Sequence, residues 1–283
     1  EEVEVGDLLM GPDNKPREVL NLCGGREEMF EIQPKDHNHS FVVNKNHVLH
    51  LMIDDTFKTK RSMTVKQYLL LTERLKKRCY LIKSGPLEFD NNNKLPKGPY
   101  EFGNTARKEI TSDYLSSSRE NRMEVMAGIV DKKGELDVEK NEYKITSASL
   151  RFTEGLLSLA ASLGFTARYV RDDKYYFTFI GGDIRTINCR DEDKKSTKKV
   201  GRKLFVFYKF KTKCVGVDDY YGFTLSGDHL YVTGDFFVHH NSGKSIVVSE
   251  IARKINQPVI CLQPSKELLT QNYEKYISYG EDA

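Results

Sequence analysis

Residues 1–60 are laid out in short runs where apolar and polar positions alternate, and each run closes on Gly, Pro, Asn or Asp. Leu8-Leu9-Met10, Val19-Leu20-Asn21-Leu22, Met29-Phe30-Glu31-Ile32 and the stretch from Phe41 to Leu51 are such runs. A period of two broken by frequent turn residues predicts a β unit of many short strands. Over residues 64–78 the period lengthens to that of a helix, with Thr64 placed to cap it. Residues 84–104 are rich in Asn, Pro and Gly and predict a linker or boundary.

The pattern then changes character. Residues 119–130 predict a helix running into Asp131-Lys132-Lys133-Gly134. A strand at 142–146, a helix at 148–163 ending on Gly164, and strands around 166–171 and 174–180 follow. That order is α+β. A polar, basic stretch at 190–203 separates it from Leu204-Phe205-Val206-Phe207-Tyr208, and β character returns at 220–225 and 228–232. After Ser242 come a helix at 246–255, an apolar strand at 258–262 and a helix at 265–277, the spacing of an α/β fold in pieces.

Composition narrows the class. With 283 residues, 39% of them apolar and 30% charged, and a net charge of +3, the chain reads as a soluble globular protein of two small domains or one elaborated one. Nothing resembles a membrane span or a signal peptide. The cysteines at 23, 79, 189, 214 and 261 have no CxxC and no histidine at zinc spacing, so no metal site is expected. Reduced thiols predict a cytoplasmic setting, in a bacterial, archaeal or phage-infected cell. A start at Glu1-Glu2-Val3 without Met and a stop at Ala283 inside a nucleotide-binding pattern lead us to expect a piece of a longer protein.

The chemistry concentrates at residues 236–245, Phe-Phe-Val-His-His-Asn-Ser-Gly-Lys-Ser. Ser242-Gly243-Lys244-Ser245 is the back half of a phosphate-binding loop, in which Gly243 allows close backbone approach, Lys244 reaches the β/γ-phosphates and Ser245 holds Mg²⁺. The loop also needs a glycine where Val238 stands, so its upstream half is missing. His240-Asn241 directly before Ser242 resembles the downstream splice junction of an intein. Residues 220–241 resemble that family's two carboxy-terminal blocks. Val5-Gly6-Asp7 and Phe41–Leu51 resemble its amino-terminal part, with Asn44-Lys45-Asn46-His47 matching its T-x-x-H block.

The resemblance implies a Hint (hedgehog/intein) fold and autocatalytic protein splicing without a cofactor. Asn241 would attack its own backbone carbonyl through its carboxamide nitrogen, an intramolecular closure with a large proximity advantage. His240 would protonate the leaving amine of Ser242, and Ser242 would first accept the upstream chain as an ester. His229 and His47 match the family's assisting histidines. The family's first nucleophile is expected upstream of Glu1, and Gly222 stands where many inteins carry an Asp. Taken alone, each residue also has a plainer reading: His-His-Asn as a solvated turn, His47 as a half-buried strand histidine, Asn44 as a backbone-bonding turn residue. His37, His39 and His50 keep that plainer reading.

Residues 126–134, Met-Ala-Gly-Ile-Val-Asp-Lys-Lys-Gly, resemble the LAGLIDADG motif of homing endonucleases. Gly128 and Gly134 match its glycines. Asp131 matches a helix-capping acid, and Lys133 stands where the metal-binding acid should be, so nuclease activity is expected to be lost. One motif is found where such inteins carry two. The basic stretch from Lys194 to Lys213, with aromatics between its charges, suits either phosphate contact with DNA or a strand with a solvated face. Residues 242–283 resemble the start of a superfamily 2 helicase, with Leu262-Gln263-Pro264-Ser265-Lys266-Glu267-Leu268 similar to motif Ia; this implies a host that uses ATP and Mg²⁺.

The expected architecture is a mainly β Hint fold at 1–97 and 204–241, split by an α+β insert at 98–203 and followed at 242–283 by a partial α/β P-loop segment. Expected partners are DNA and the upstream extein. Two other readings stay open: a working DNA-cutting enzyme in an intein frame, and a P-loop ATPase with a retained regulatory insert.

Overall fold

The computed structural model describes residues 3–35, 37–53, 59–89, 94–199 and 207–241. Ser242, Gly243, Lys244, Ser245 and the expected P-loop segment lie outside them. The chain opens with strands β1 (Leu8–Met10), β2 (Pro16–Pro34), β3 (Phe41–Asn44), β4 (Val48–Met52) and β5 (Lys60–Thr64), helices α1 (Val65–Leu69) and α2 (Glu73–Lys76), and β6 (Tyr80–Ile82). An insert follows: α3 (Pro99–Thr105), α4 (Ser112–Leu115), α5 (Arg119–Lys133), β7 (Gly134–Asp137), β8 (Glu142–Ser147), α6 (Leu150–Ser162), β9 (Thr166–Arg171) and β10 (Tyr176–Gly181). Strands β11 (Phe207–Tyr208), β12 (Phe210–Leu225), β13 (Leu230–Val232) and β14 (Val238–His240) close the described chain.

The β residues before and after the insert interleave in two sheets. In one, β2 runs antiparallel to β12 from Phe210↔Pro34 to Leu225↔Val19, with β1 and β3 also on β2. The other has the order β11-β6-β4-β14-β13, with β5 on β4. A core of Phe30, Ile32, Leu49, Leu51, Val65 and Phe237 lies between their apolar faces. Residues far apart in sequence thus meet through sheet pairing alone, and each pairing fixes which side chains share a face.

The helix expected over residues 64–78 is two short ones. Thr64 caps α1 in a reciprocal box with Gln67, as the sequence suggests, but Thr72 then accepts from the Leu75 N–H and starts α2 afresh. A threonine hydroxyl that bonds the backbone ahead of it competes with helix continuation. The strand expected at 220–225 begins ten residues earlier, at Phe210. Lys211 and Lys213 are exposed there, alternating with the half-buried Phe210 and Thr212, so this part of the basic stretch is a strand with a solvated face.

The insert is a four-stranded antiparallel sheet, β7-β8-β10-β9, packed on one face by helices. Tyr143, Ile145 and Ile180 from the strands meet Val125, Ile129, Leu156 and Leu159 in a dry core. The stretch 84–104, expected as a linker or boundary, leads from β6 into α3, with residues 90–93 outside the described ones, and its described residues pack on this unit. Leu87 is buried, and its N–H donates to the Ser162 carbonyl at 3.0 Å. Arg122, fully buried, donates to the carbonyls of Ser117 and Ser162 at 2.9 Å each and also to that of Leu87. Turn-rich composition here marks a chain held by main-chain bonds instead of one left in solvent.

Within that stretch α3 lies against α5 with almost no space between the two backbones. A Cβ on Gly103 would run into the Val125 carbonyl oxygen, and one on Gly128 into that of Tyr100. Only glycine permits this approach. The helix expected at 119–130 continues to Lys133 and is capped at Gly134. The insert touches the β unit where the Asn38 carboxamide pairs with the main chain of Tyr169, donating to its carbonyl and accepting its N–H at 2.8 Å each. No helix among the described residues is long and apolar enough to cross a membrane.

Candidate functional site

β14 brings the expected junction residues together. It pairs with β13 through Leu230↔His240 and Tyr231↔His239, and with β4 through His240↔Val48. His47 is the residue before Val48, so the register alone carries it to the end of the chain's β part. Successive residues on a strand face opposite ways. His239 therefore turns toward His47, with ring centroids 5.8 Å apart, and His240 toward His229, at 6.1 Å. Asn241 donates its N–H to the His229 carbonyl at 2.9 Å, which fixes the backbone beside the Asn241–Ser242 bond. A cavity of about 770 Å³ opens over His47, His239, His240 and Asn241.

His229 is held in an unusual backbone state, φ 61°, and its Nδ1 lies 2.6 Å from the Leu225 carbonyl oxygen. A carbonyl can only accept, so that nitrogen carries the proton and Nε2 presents its lone pair. His47 is different. Its Nε2 is shut off from water without a hydrogen-bond partner among the described residues, and so is that of His239. Burial, and then the neighbouring imidazoles, lower the His47 pKa to about 3. Burial likewise pushes His239 down. Both rings are neutral at pH 7.

Several residues at this site were not singled out from sequence. His239 is 6% exposed and meets Phe41 edge-on at 4.7 Å between ring centroids. Its proximity to His47 follows from register, which no local pattern displays. Glu27 on β2 accepts from the Asn44 Nδ2 at 3.0 Å and from the Asn46 Nδ2 at 3.1 Å, and Lys45 pairs with Glu28. Asn44 is thus tied by its side chain to a carboxylate, not to the backbone as expected, and the turn that leads into His47 is anchored at three successive residues. Gly222 lies opposite Cys23, and a Cβ there would come to 3.0 Å from the Cys23 sulfur. Of the remaining histidines, His50 is a cross-strand partner of Ser62 at 2.9 Å, away from the junction.

The insert's expected site, Gly128-Asp131-Lys133-Gly134, has the opposite character. Gly128 is the helix contact described above. The Asp131 carboxylate accepts from the Tyr100 hydroxyl at 2.8 Å and from the Arg190 N–H at 2.7 Å, so it ties the helix to the 190–191 turn instead of capping α5. Lys133 donates to the Ala106 carbonyl at 2.6 Å, closing the end of α3, and its ammonium sits 4.0 Å from the centre of the Phe152 ring. Lys194 donates to the carbonyls of Val130 and Asp131 at the end of α5. Two ammonium groups thus cap the two helix ends. A divalent cation does not fit there: the Asp131 carboxylate is already bonded, the Asp191 carboxylate lies 3.9 Å from the Lys194 ammonium, and Lys133 and Lys194 hold the helix ends. Among the described residues no cluster of three or more His, Cys, Asp or Glu could hold a metal.

A protein-family model described as Hom_end-associated Hint matches residues 1–240. The crystal structure of the gp41-1 intein is similar at 12% identity, covering 85% of this chain and 84% of that one, with a TM-score of 0.31, an overlap too loose to carry an argument. No curated protein matches.

Proposed function

The chain belongs to the Hom_end-associated Hint family, a domain of the intein type that acts in protein splicing, and from that premise we propose that it releases itself at Asn241 from a downstream ATP-dependent helicase. The observation that supports the proposal is the pairing of β14 with both β13 and β4, which brings His229 beside His240 and the Asn241 N–H, and His47 beside His239. The Asn241 Nδ2 attacks the Asn241 carbonyl carbon, the bond to the Ser242 nitrogen breaks, and a succinimide closes. His229, with its proton held at Nδ1, presents Nε2 as a base, while His240 supplies the proton that the leaving amine needs. His47 acts at the upstream junction, where a neutral imidazole can polarise a strained peptide without first losing a proton.

Ligation would set the upstream extein directly before Ser242-Gly243-Lys244-Ser245 and complete a phosphate loop for ATP and Mg²⁺. The insert fits a LAGLIDADG unit that has lost its chemistry. α3 supplies the second helix that the sequence pattern did not reveal, and Lys133 and Lys194 occupy the ends where a metal would be held. Its exposed cations leave salt-dependent DNA binding open to it. The reading is tested by incubating the purified chain and following its mass. We expect a fragment beginning at Ser242 and a product ending in succinimide or Asn, both absent from Asn241→Ala. Release that persists in Asn241→Ala would refute the assignment.

A further inference from the structure

A second cavity lies away from the junction, where the β unit meets the insert. Its volume is about 370 Å³, and His37, Lys83, Ser158, Ala167, Asp235 and Phe236 are among its walls. That is the size of a small-molecule site. Lys83, just past β6, is pinned by its main chain: it bridges to Phe237, and the next residue, Ser84, donates its N–H to the Phe236 carbonyl at 2.8 Å. Lys83 is only 4% exposed. Its ammonium faces the rings of Tyr208 and Phe237 at 5.6 and 5.8 Å, and it gives no hydrogen bond or ion pair to any oxygen among the described residues.

Lys83 is largely withdrawn from water, and burial lowers its pKa to about 8 while the Asp235 charge opposes that shift. No group facing it gives it a hydrogen bond or ion pair among the described residues. The Asp235 Oδ1 accepts from the Thr233 hydroxyl and the Phe237 N–H, and its carboxylate acts on Lys83 only through its charge. Glu154 is exposed on α6. His37 is pushed down to about 4 by burial and by the Lys83 charge, so it is neutral. His39 is exposed, and Asn38 is committed to Tyr169.

We infer that this cavity is a receptor for the carboxylate of a small molecule, with Lys83 as its counter-ion. An α-amino acid with an apolar side chain meets every wall: its carboxylate lies on Lys83, its side chain on Leu157, Ala161 and Ala167, and its amino group toward Glu154. The carboxylates of Asp235 and Glu154 select against a dianion. The site adjoins Phe236 and Phe237, the residues that lead into β14, so its occupant sits one strand from the reaction centre.

The probes are acetate, leucine and inorganic phosphate, added separately to the full-length Asn241→Ala chain, whose mass stays constant. We expect acetate and leucine to raise Tm saturably, leucine at the lower concentration, and phosphate to have no effect. Lys83→Met should weaken leucine binding by at least about tenfold, the usual loss for a charged hydrogen bond. Should that variant not fold, calorimetry on the parent chain decides: affinity for leucine should fall as pH rises past about 8 and the ammonium loses its proton. No saturable shift with either carboxylate, equal affinity in Lys83→Met, or affinity constant over about pH 7 to 9 would each overturn the inference. Binding of phosphate alone would overturn the carboxylate assignment.

Discussion

The junction end of β14 and the paired ends of α3 and α5 are both built from charged or titratable residues at the close of an element, yet they are finished in opposite ways. At the junction, the Nε2 atoms of His47 and His239 are buried with no partner among the described residues. At the helix ends, Asp131, Lys133 and Lys194 each have their bonds made. Unspent hydrogen-bonding capacity lowers stability, and a fold keeps it where a reacting group will use it. Under the proposed reading, the insert's motif residues spend that capacity on capping helices, while the junction keeps it. Thr178 Oγ1 on β10 is also buried without a partner among the described residues, so the contrast holds for the two element ends and not for the whole insert.

Acid should strike the first region hardest. A histidine takes up a proton below about pH 6.5 in the unfolded chain, whereas His47 resists it until about 3 in the folded one. The unfolded state therefore binds more protons in that window, and stability present above it is lost as pH falls. The loss is about 1.4 kcal/mol per pH unit for each such ring, or roughly 2–3 kcal/mol for His47 between about pH 6.5 and 4.5. Urea unfolding across this range should show the decline, and His47→Gln should remove its share. An unchanged slope in that variant would mean that His47 is not held neutral.

The helix ends should respond to a change of charge and not to added metal. Lys133→Met removes the cap on the Ala106 carbonyl and should cost about 1 kcal/mol. Lys133→Asp sets a carboxylate against that carbonyl and should cost about 2 kcal/mol. Neither should cut DNA carrying the uninterrupted gene site in Mg²⁺ or Mn²⁺. Stabilisation of Lys133→Asp by either ion would show that the position still makes a metal site, and the contrast between the two regions would fail.

Much of the β unit and of the junction was legible in the sequence because local patterns carried it. His240-Asn241-Ser242 is contiguous, Thr64 is a visible cap, and in the insert the strand expected around 166–171 runs from Thr166 to Arg171. What was hidden depends on pairing between distant segments. The meeting of His239 with His47, the hold of Glu27 on Asn44 and Asn46, and the length of β12 are consequences of register across the two sheets. α3 escaped notice because Pro99, Gly103 and the asparagines around them read as a turn. Its helical state rests on packing against α5, where Gly103 is needed for contact and not for flexibility.

A change of rate, not of stability, tests whether the junction depends on a residue that never touches it. Arg17 is 7% exposed on β2, with Nε 2.9 Å from an Asp228 oxygen, a second nitrogen 3.0 Å from Asp13 and a third donating to the Lys15 carbonyl at 3.0 Å. It lies against Gly227, whose φ is 72°, and it holds the Asp228 carboxyl below the usual carboxylate range. The turn so clamped carries His229, whose carbonyl receives the Asn241 N–H. Arg17→Met should slow release of the Ser242 fragment by about tenfold, or roughly 1.4 kcal/mol of barrier. Arg17→Lys keeps the charge without the planar fork, so its rate should fall between the two. An unchanged rate in Arg17→Met would show that the clamp on this turn does not reach the junction.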